Sequence, residues 1–197
     1  MKDNLKYKTY IYYNMNQPIS SKDLDNIREQ LIRYEDIIIN KYIECMENRH
    51  SQLLDIDSIV EELNKNINES YHFVISDLLY YYYDNHRPSV DNKHHDMDLF
   101  QLIKERILLG EEVIKAKYAS NPEIFIQAIN EKDTYKIHAL LENKEVEEKI
   151  LNRILGKNIS PKITTRVHSL YKEFIIPYTK KVQVVYCLMN YDVGTPS

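Results

Sequence analysis

"FQLIKERILLGEEVIKAKYAS", Phe100 to Ser120, contains no proline and a single glycine, Gly110. Its apolar residues fall at helical spacing, and an apolar stripe of this kind faces a core. Arg106 and Lys117 stand eleven residues apart on that stripe. At about 3.6 residues per turn the two cations lie within roughly 20° of one line. Gly110 and Val113 sit between them, flanked by Ile103, Ile107 and Ile114. An unpaired cation facing a core costs on the order of several kcal/mol. The stretch therefore predicts a long helix whose inner face meets something anionic.

Working outward, the 197 residues suffice for one sizeable core or two small ones. Hydrophobic residues at 43% and charged ones at 28% are ordinary for a globular chain. Three glycines and six prolines are too few for a many-turned sheet, so long helices are expected. A net charge of -4 argues against a general nucleic-acid binder. Cys45 and Cys187 lie within apolar helical patterns and read as buried free thiols. The opening "MKDNLKYKTY" lacks a signal-peptide core, and no segment approaches about 20 apolar residues. The expectation is a cytoplasmic protein without a membrane partner. Of the 17 tyrosines, Tyr80 to Tyr83 form a run expected to place some rings inside and others in water.

"PISSKDLDNIREQLIRYEDIIINKYIECMENRH" begins with Pro18 and a Ser20/Ser21 cap. Leu24, Ile27, Leu31, Tyr34, Ile38 and Tyr42 then mark a helix to about His50. A second helical region spans about Asp57 to Asp84, and residues 84–95 form a polar loop around Pro88. The opening helix runs from about Asp96 to Ala119. Asn121-Pro122 and Asp133 cap two short helices, and "NKEVEEKILNRIL" is a helix ending at Gly156. After Pro161 a long last helix is expected to bend or divide at Pro177. The sum is an all-α, single-domain helical bundle over residues 1–197 with one core, residues 1–20 being an N-terminal extension.

Other helices repeat the oddity of the first. Arg28 borders the stripe of Ile27 and Leu31. Asn143 and Glu147 are four apart, beside Val146 and Ile150, and Thr179 and Gln183 are four apart, beside Val182. A bundle could bring all of them to one cavity, although an edge arginine usually snorkels and a glutamate in "EVEEK" usually faces water. His94 and His95 with Asp91, Asp96 and Asp98 lack a defined ligand spacing and read as a solvated loop, with no metal expected.

The residues just named carry a resemblance. "LDNIREQLIRYEDIIINKYIE", "IKERILLGEEVIKAKY", "NKEVEEKILNRIL" and "YKEFIIPYTKKVQVVY" resemble, in order, the eukaryotic all-helical chorismate mutases, over roughly residues 22 to 49 and 96 to 190. The resemblance implies conversion of chorismate to prephenate, in the branch to phenylalanine and tyrosine, without cofactor, metal or covalent intermediate. It places Arg28, Arg106, Lys117, Glu147 and Gln183 as catalytic groups, and Asn143 and Thr179 as substrate-binding. Glu35 and Arg153 would form an ion pair behind the site. The chemistry suits these types. Two guanidinium forks clamp the substrate's two carboxylates in a compact shape. Lys117 and Gln183 donate to the ether oxygen as it gains charge. Glu147 accepts from the ring hydroxyl, with Asn143 orienting it.

The sequence departs from the family at two places. Gln183 stands where the fungal and plant pattern has glutamate, and an amide donates at any pH, so a rate nearly flat from pH 5 to 8 is expected. Between Arg49 and Asp96 the chain is much shorter than the regulated enzymes, which implies weak or absent feedback by tyrosine and tryptophan. That span also contributes to the family's dimer contact, which leaves the homodimer implied by the family doubtful here. The rivals are a non-enzymatic, mutase-like helical module that binds an aromatic metabolite or a protein partner, and a related pericyclic enzyme such as an isochorismate-pyruvate lyase.

Overall fold

A computed structural model describes residues 23–47, 56–65, 67–85 and 93–190. Ten α-helices account for most of them, and no strand occurs among the described residues. The helices are α1 Asp23–Glu47, α2 Ile56–Asn64, α3 His72–Asn85, α4 Lys93–Leu108, α5 Gly110–Ser120, α6 Glu123–Asn130, α7 Thr134–Leu141, α8 Lys144–Leu155, α9 Pro161–Leu170 and α10 Ile176–Asn190. A 3₁₀ turn at Glu69–Tyr71 precedes α3, and a five-residue π turn, Tyr171–Ile175, joins α9 to α10. The all-α expectation holds.

Helix α1 lies along α4, while α10 packs against α4, α5 and α7. The principal core combines Ile38 and Tyr42 of α1, Leu78 and Tyr82 of α3, and Leu99, Ile103 and Ile107 of α4 with Phe174 and Val182. Phe174 sits among three tyrosine rings, stacked on Tyr81 at 5.7 Å and tilted against Tyr82 and Tyr178 at 5.8 and 5.1 Å. Tyr82 is fully buried whereas Tyr80 and Tyr81 reach solvent, as the tyrosine run predicts for those three positions. A second, smaller cluster joins Ile114, Phe125, Ile129, Ile137, Leu141 and Cys187. Two apolar clusters thus replace the single core expected. The reason is geometric: α6 and α7 pack on each other, and α7 on α10, so their apolar faces meet Ile114 and Cys187 rather than the main core. Cys45 and Cys187 are buried thiols outside any disulfide, as expected, and burial pushes the Cys187 thiol up to about 11.

Several boundaries differ from the sequence reading. The helix expected from Asp96 to Ala119 begins at Lys93 and is divided at Leu109 into α4 and α5. Helical hydrogen bonds into and out of Leu109, to Glu105 and from Val113 (both 3.2 Å), keep the two halves nearly continuous. The region from Asp57 to Asp84 is two helices, because the Asn68 side chain accepts from the Ser70 amide at 3.0 Å and starts a new turn. The polar loop is shorter than residues 84–95: α3 continues to Asn85 and α4 starts at Lys93. Residues 86–92, Ser20 and Ser21 lie outside the described residues, as do the side chains of His94, His95 and Asp96.

Pro177 interrupts the last helix, but the break falls ahead of it. Proline has no N–H to give and its ring crowds the carbonyl four residues back, here that of Glu173. The π turn widens the backbone at that point, and the Ile176 amide reaches the Tyr171 carbonyl five residues earlier. Upstream, Asp133 caps α7 through the Lys136 amide at 3.0 Å, Pro161 is the first residue of α9, and Gly156 follows α8. Gly156 keeps a right-handed conformation (φ -79°), so its position does not require glycine.

Candidate active site

Six helices meet around one pocket of about 130 Å³. Its polar lining is Arg28 from α1, Arg106 from α4, Lys117 from α5, Asn143 and Glu147 from the start of α8, and Thr179, Lys180 and Gln183 from α10. Ile27, Leu31, Val113, Leu141, Val146, Ile150 and Ile176 supply the apolar wall. All seven residues assigned to catalysis or substrate binding from the sequence are therefore brought together. Four cations and one carboxylate line the pocket, so it favours an anion.

Arg106 is 2% exposed, and its Nε and Nη1 are buried without an acceptor among the described residues. Burial lowers its pKa from the usual arginine value, Tyr171 and Glu35 act in the opposite direction, and Arg153 adds to the lowering. Behind it Glu35, 1% exposed, receives a two-pronged ion pair from Arg153. Arg153 Nε donates to Oε2 at 3.1 Å and Nη2 donates to Oε1 at 2.7 Å. One anion therefore supports Arg106 from within. The unpartnered guanidinium nitrogens call for a second, because an unsatisfied buried charged group costs several times an ordinary hydrogen bond.

Lys117 donates to the Leu141 carbonyl at 2.9 Å, which leaves two further N–H groups. Desolvation lowers its pKa, with Glu147 opposing and Lys180 adding to the shift. Arg28 lies at the pocket's rim, exposed, and holds Asp25 at 2.8 Å in an (i, i+3) pair. Such solvent-exposed pairs are weak and easily exchanged for another carboxylate.

The start of α8 is set by Asn143, whose Oδ1 accepts from the Val146 amide at 3.1 Å. Capping occupies its carbonyl side and leaves the NH₂ group to reach a ligand. Glu147 Oε1 accepts from the Asn143 amide at 3.4 Å and from the Lys180 ammonium at 2.7 Å. The Thr179 hydroxyl donates to the Ile175 carbonyl at 2.7 Å. It can accept as it stands, and must rotate to donate to a ligand. Gln183 is 5% exposed.

Gly110 lets these elements close up. A Cβ there would lie 2.9 Å from the Thr179 carbonyl oxygen, 3.1 Å from Thr179 Cγ2 and 3.4 Å from Gln183 Cγ. The glycine between the two cations is thus the contact through which α5 rests on α10.

Lys180 is the polar lining residue that the sequence reading missed. It lies three residues before Gln183, so it shares that residue's face, which was the available signal. The surrounding "TKKVQ" gave no reason to choose it over Lys181, which instead pairs with Asp77 at 2.8 Å. Among the described residues no group of three or more His, Cys, Asp or Glu side chains could hold a metal.

Residues 92–184 match the family described as chorismate mutase type II. Similar curated proteins include the chorismate mutases of Pichia angusta (35% identical over 112 residues, 49% of this chain and 40% of that one). That of Saccharomyces cerevisiae is 32% identical over 112 residues, 49% of this chain and 43% of its own. That of Schizosaccharomyces pombe is 30% identical over 139 residues, 58% and 55% of the two chains. The chain thus spans about half the length of the curated relatives it matches. In structure it is similar to Aro7p chorismate mutase from Candida albicans in complex with L-Trp (TM-score 0.71, 22% identity, covering 91% of this chain and 97% of that one). It is also similar to AtCM1 with tyrosine bound in an allosteric site (TM-score 0.68, 21% identity, 91% and 99%). In sequence over part of its length, and in fold over most of it, the chain is similar to the eukaryotic, all-helical chorismate mutases.

Proposed function

We propose that this protein is a chorismate mutase, which rearranges chorismate to prephenate within the six-helix pocket. The observation that carries this reading is Arg106: a buried guanidinium with two unpartnered nitrogens, facing a pocket that three further cations line. Arg106 and Arg28 each take one carboxylate of the substrate, the first in a dry, rigid setting and the second at the solvent rim. Fixing both ends holds the compact conformer in which the new carbon–carbon bond can form. As the carbon–oxygen bond breaks, Lys117 and Gln183 donate to the ether oxygen, and donors of this kind contribute about 3–4 kcal/mol each. Glu147 accepts from the ring hydroxyl, the Asn143 NH₂ group assists, and Thr179 supplies a hydroxyl beside the carboxylate held by Arg106. Glu35 offsets the Arg106 charge from behind, and Arg153 fixes the Glu35 carboxylate. No nucleophile or general base is required.

Residues 1–197 are read as one mutase domain, and its place is the branch of metabolism leading to phenylalanine and tyrosine. A homodimer is the assembly the family resemblance implies, and gel filtration with light scattering reads it directly. The expectation of weak feedback finds no support among the relatives, since solved neighbours carry tryptophan or an allosteric tyrosine. It rests on the short span between Arg49 and Asp96 alone. A rate unchanged by added tyrosine and tryptophan is the result it requires. A cytoplasmic site accords with a cytosolic maize relative, whereas other relatives are chloroplastic. Among the described residues no helix is long and apolar enough to cross a membrane.

The test is loss of chorismate absorbance with purified protein, with the product identified as prephenate. Turnover that is abolished by Arg106→Ala and by Lys117→Ala supports the reading. An inactive wild type that still binds a bicyclic dicarboxylate favours the non-enzymatic module instead.

A further inference from the structure

Lys180 stands at a junction. Its side chain is 12% exposed, on the wall between the pocket and a second cavity of about 360 Å³. The two cavities share Glu147, Ile176 and Lys180. The second also carries Lys144, Glu148 and Lys172 beside Leu151 and Pro177, so charged and apolar side chains line it together. The Glu147–Lys180 pair at 2.7 Å therefore lies on the wall common to both cavities.

Among the described residues, both polar contacts to the Glu147 carboxylate fall on a single oxygen. Oε1 takes the Lys180 ammonium and the Asn143 amide, which leaves Oε2 as the atom that a ligand hydroxyl can reach. A glutamate at the first turn of a helix has free rotamers unless something fixes it. Here the fixing group comes from a different helix and carries a charge. Lys180 also offsets the carboxylate's repulsion of an arriving dianion, which a neutral partner could not do.

We propose that Lys180 is a positioning residue for the reaction: its ammonium pins Glu147 through Oε1, so that Oε2 is presented to the ring hydroxyl of a dianionic substrate. The inference rests on the chorismate mutase reading. It assigns Lys180 a role through Glu147, distinct from Lys117, which faces the reacting atoms.

A double-mutant cycle on full-length protein tests it, using steady-state turnover of chorismate by wild type, Lys180→Met, Glu147→Gln and the pair. Lys180→Met is expected to lower kcat/KM by roughly 10- to 100-fold, with a fall in kcat and not only a rise in KM. The double variant is expected to lose no more than the worse single one, because both changes remove one interaction. Lys180→Arg, which keeps a charged donor, should stay within about threefold of wild type. Losses that multiply in the double variant, or a change confined to KM, would overturn the proposal while leaving the function intact. Should Lys180→Met fail to fold, Lys180→Gln takes its place in the cycle. A wild type that does not turn over chorismate would overturn both readings.

Discussion

Gly110→Ala isolates the helix contact beneath the site. The added methyl would lie 2.9 Å from the Thr179 carbonyl oxygen, where ordinary carbon–oxygen contacts are about 3.3 Å or longer. That oxygen belongs to the backbone of α10, so it moves only if the helix moves, by roughly 0.4 Å. Overpacking of this kind costs about 1–3 kcal/mol, and alanine's better helix propensity returns at most about 1. The net loss of about 1–2 kcal/mol corresponds to a fall in Tm of roughly 2–8 °C for a chain of this size. Activity should suffer more than stability. The displaced segment carries Thr179, Lys180 and Gln183, and a shift of about 1 Å can cost about 100-fold, so a loss of about tenfold in kcat is expected. Gly156→Ala is the control. Its Cβ would meet nothing closer than 3.4 Å, and its φ of -79° suits any residue, so stability and rate should hold. Thermal unfolding and chorismate turnover, measured on both variants, decide the matter. Equal behaviour of the two would refute the argument that α5 sets the position of α10.

Glu35→Gln removes the buried anion behind Arg106 and leaves Arg153 unpaired. We expect a stability loss of about 2–4 kcal/mol, at or below the usual range for a broken buried pair because Arg153 is partly exposed, and the shift in urea midpoint measures it. Turnover should be nearly constant from pH 5 to 8 and, in Gln183→Glu, should fall as pH rises through neutrality, since a carboxylate must be protonated to donate. A wild-type rate that declines across that window would count against Gln183 as a donor. Above it, loss of the Lys117 proton should end activity at a pH below the ordinary lysine value of 10.5, because burial lowers its pKa. The sign for stability is the reverse. The folded-state pKa lies below the unfolded one, so the charged lysine opposes folding at neutral pH, and this penalty fades as pH rises through the folded value. Lys117→Arg should move the alkaline limb of kcat/KM upwards.

Periodicity settled the helices and the inward faces. The line joining Arg106 to Lys117 needed only the helical repeat, and the resemblance selected Arg28, Asn143, Glu147, Thr179 and Gln183 from other candidates of equal appearance. Three features depended on the folded chain. The split at Leu109 and the π turn ahead of Pro177 are single-turn adjustments, too short for periodicity averaged over a whole helix to reveal. A π turn nevertheless adds one residue, which rotates the downstream helix by about 100°, and so it helps decide that Thr179, Lys180 and Gln183 turn towards the pocket. Lys180 and Lys181 look alike in sequence, yet one meets Glu147 and the other Asp77. Spacing along a helix fixes which residues share a face, because the repeat is local. Which partner that face meets depends on how separate helices pack, and a non-local contact leaves no mark on the spacing of either helix.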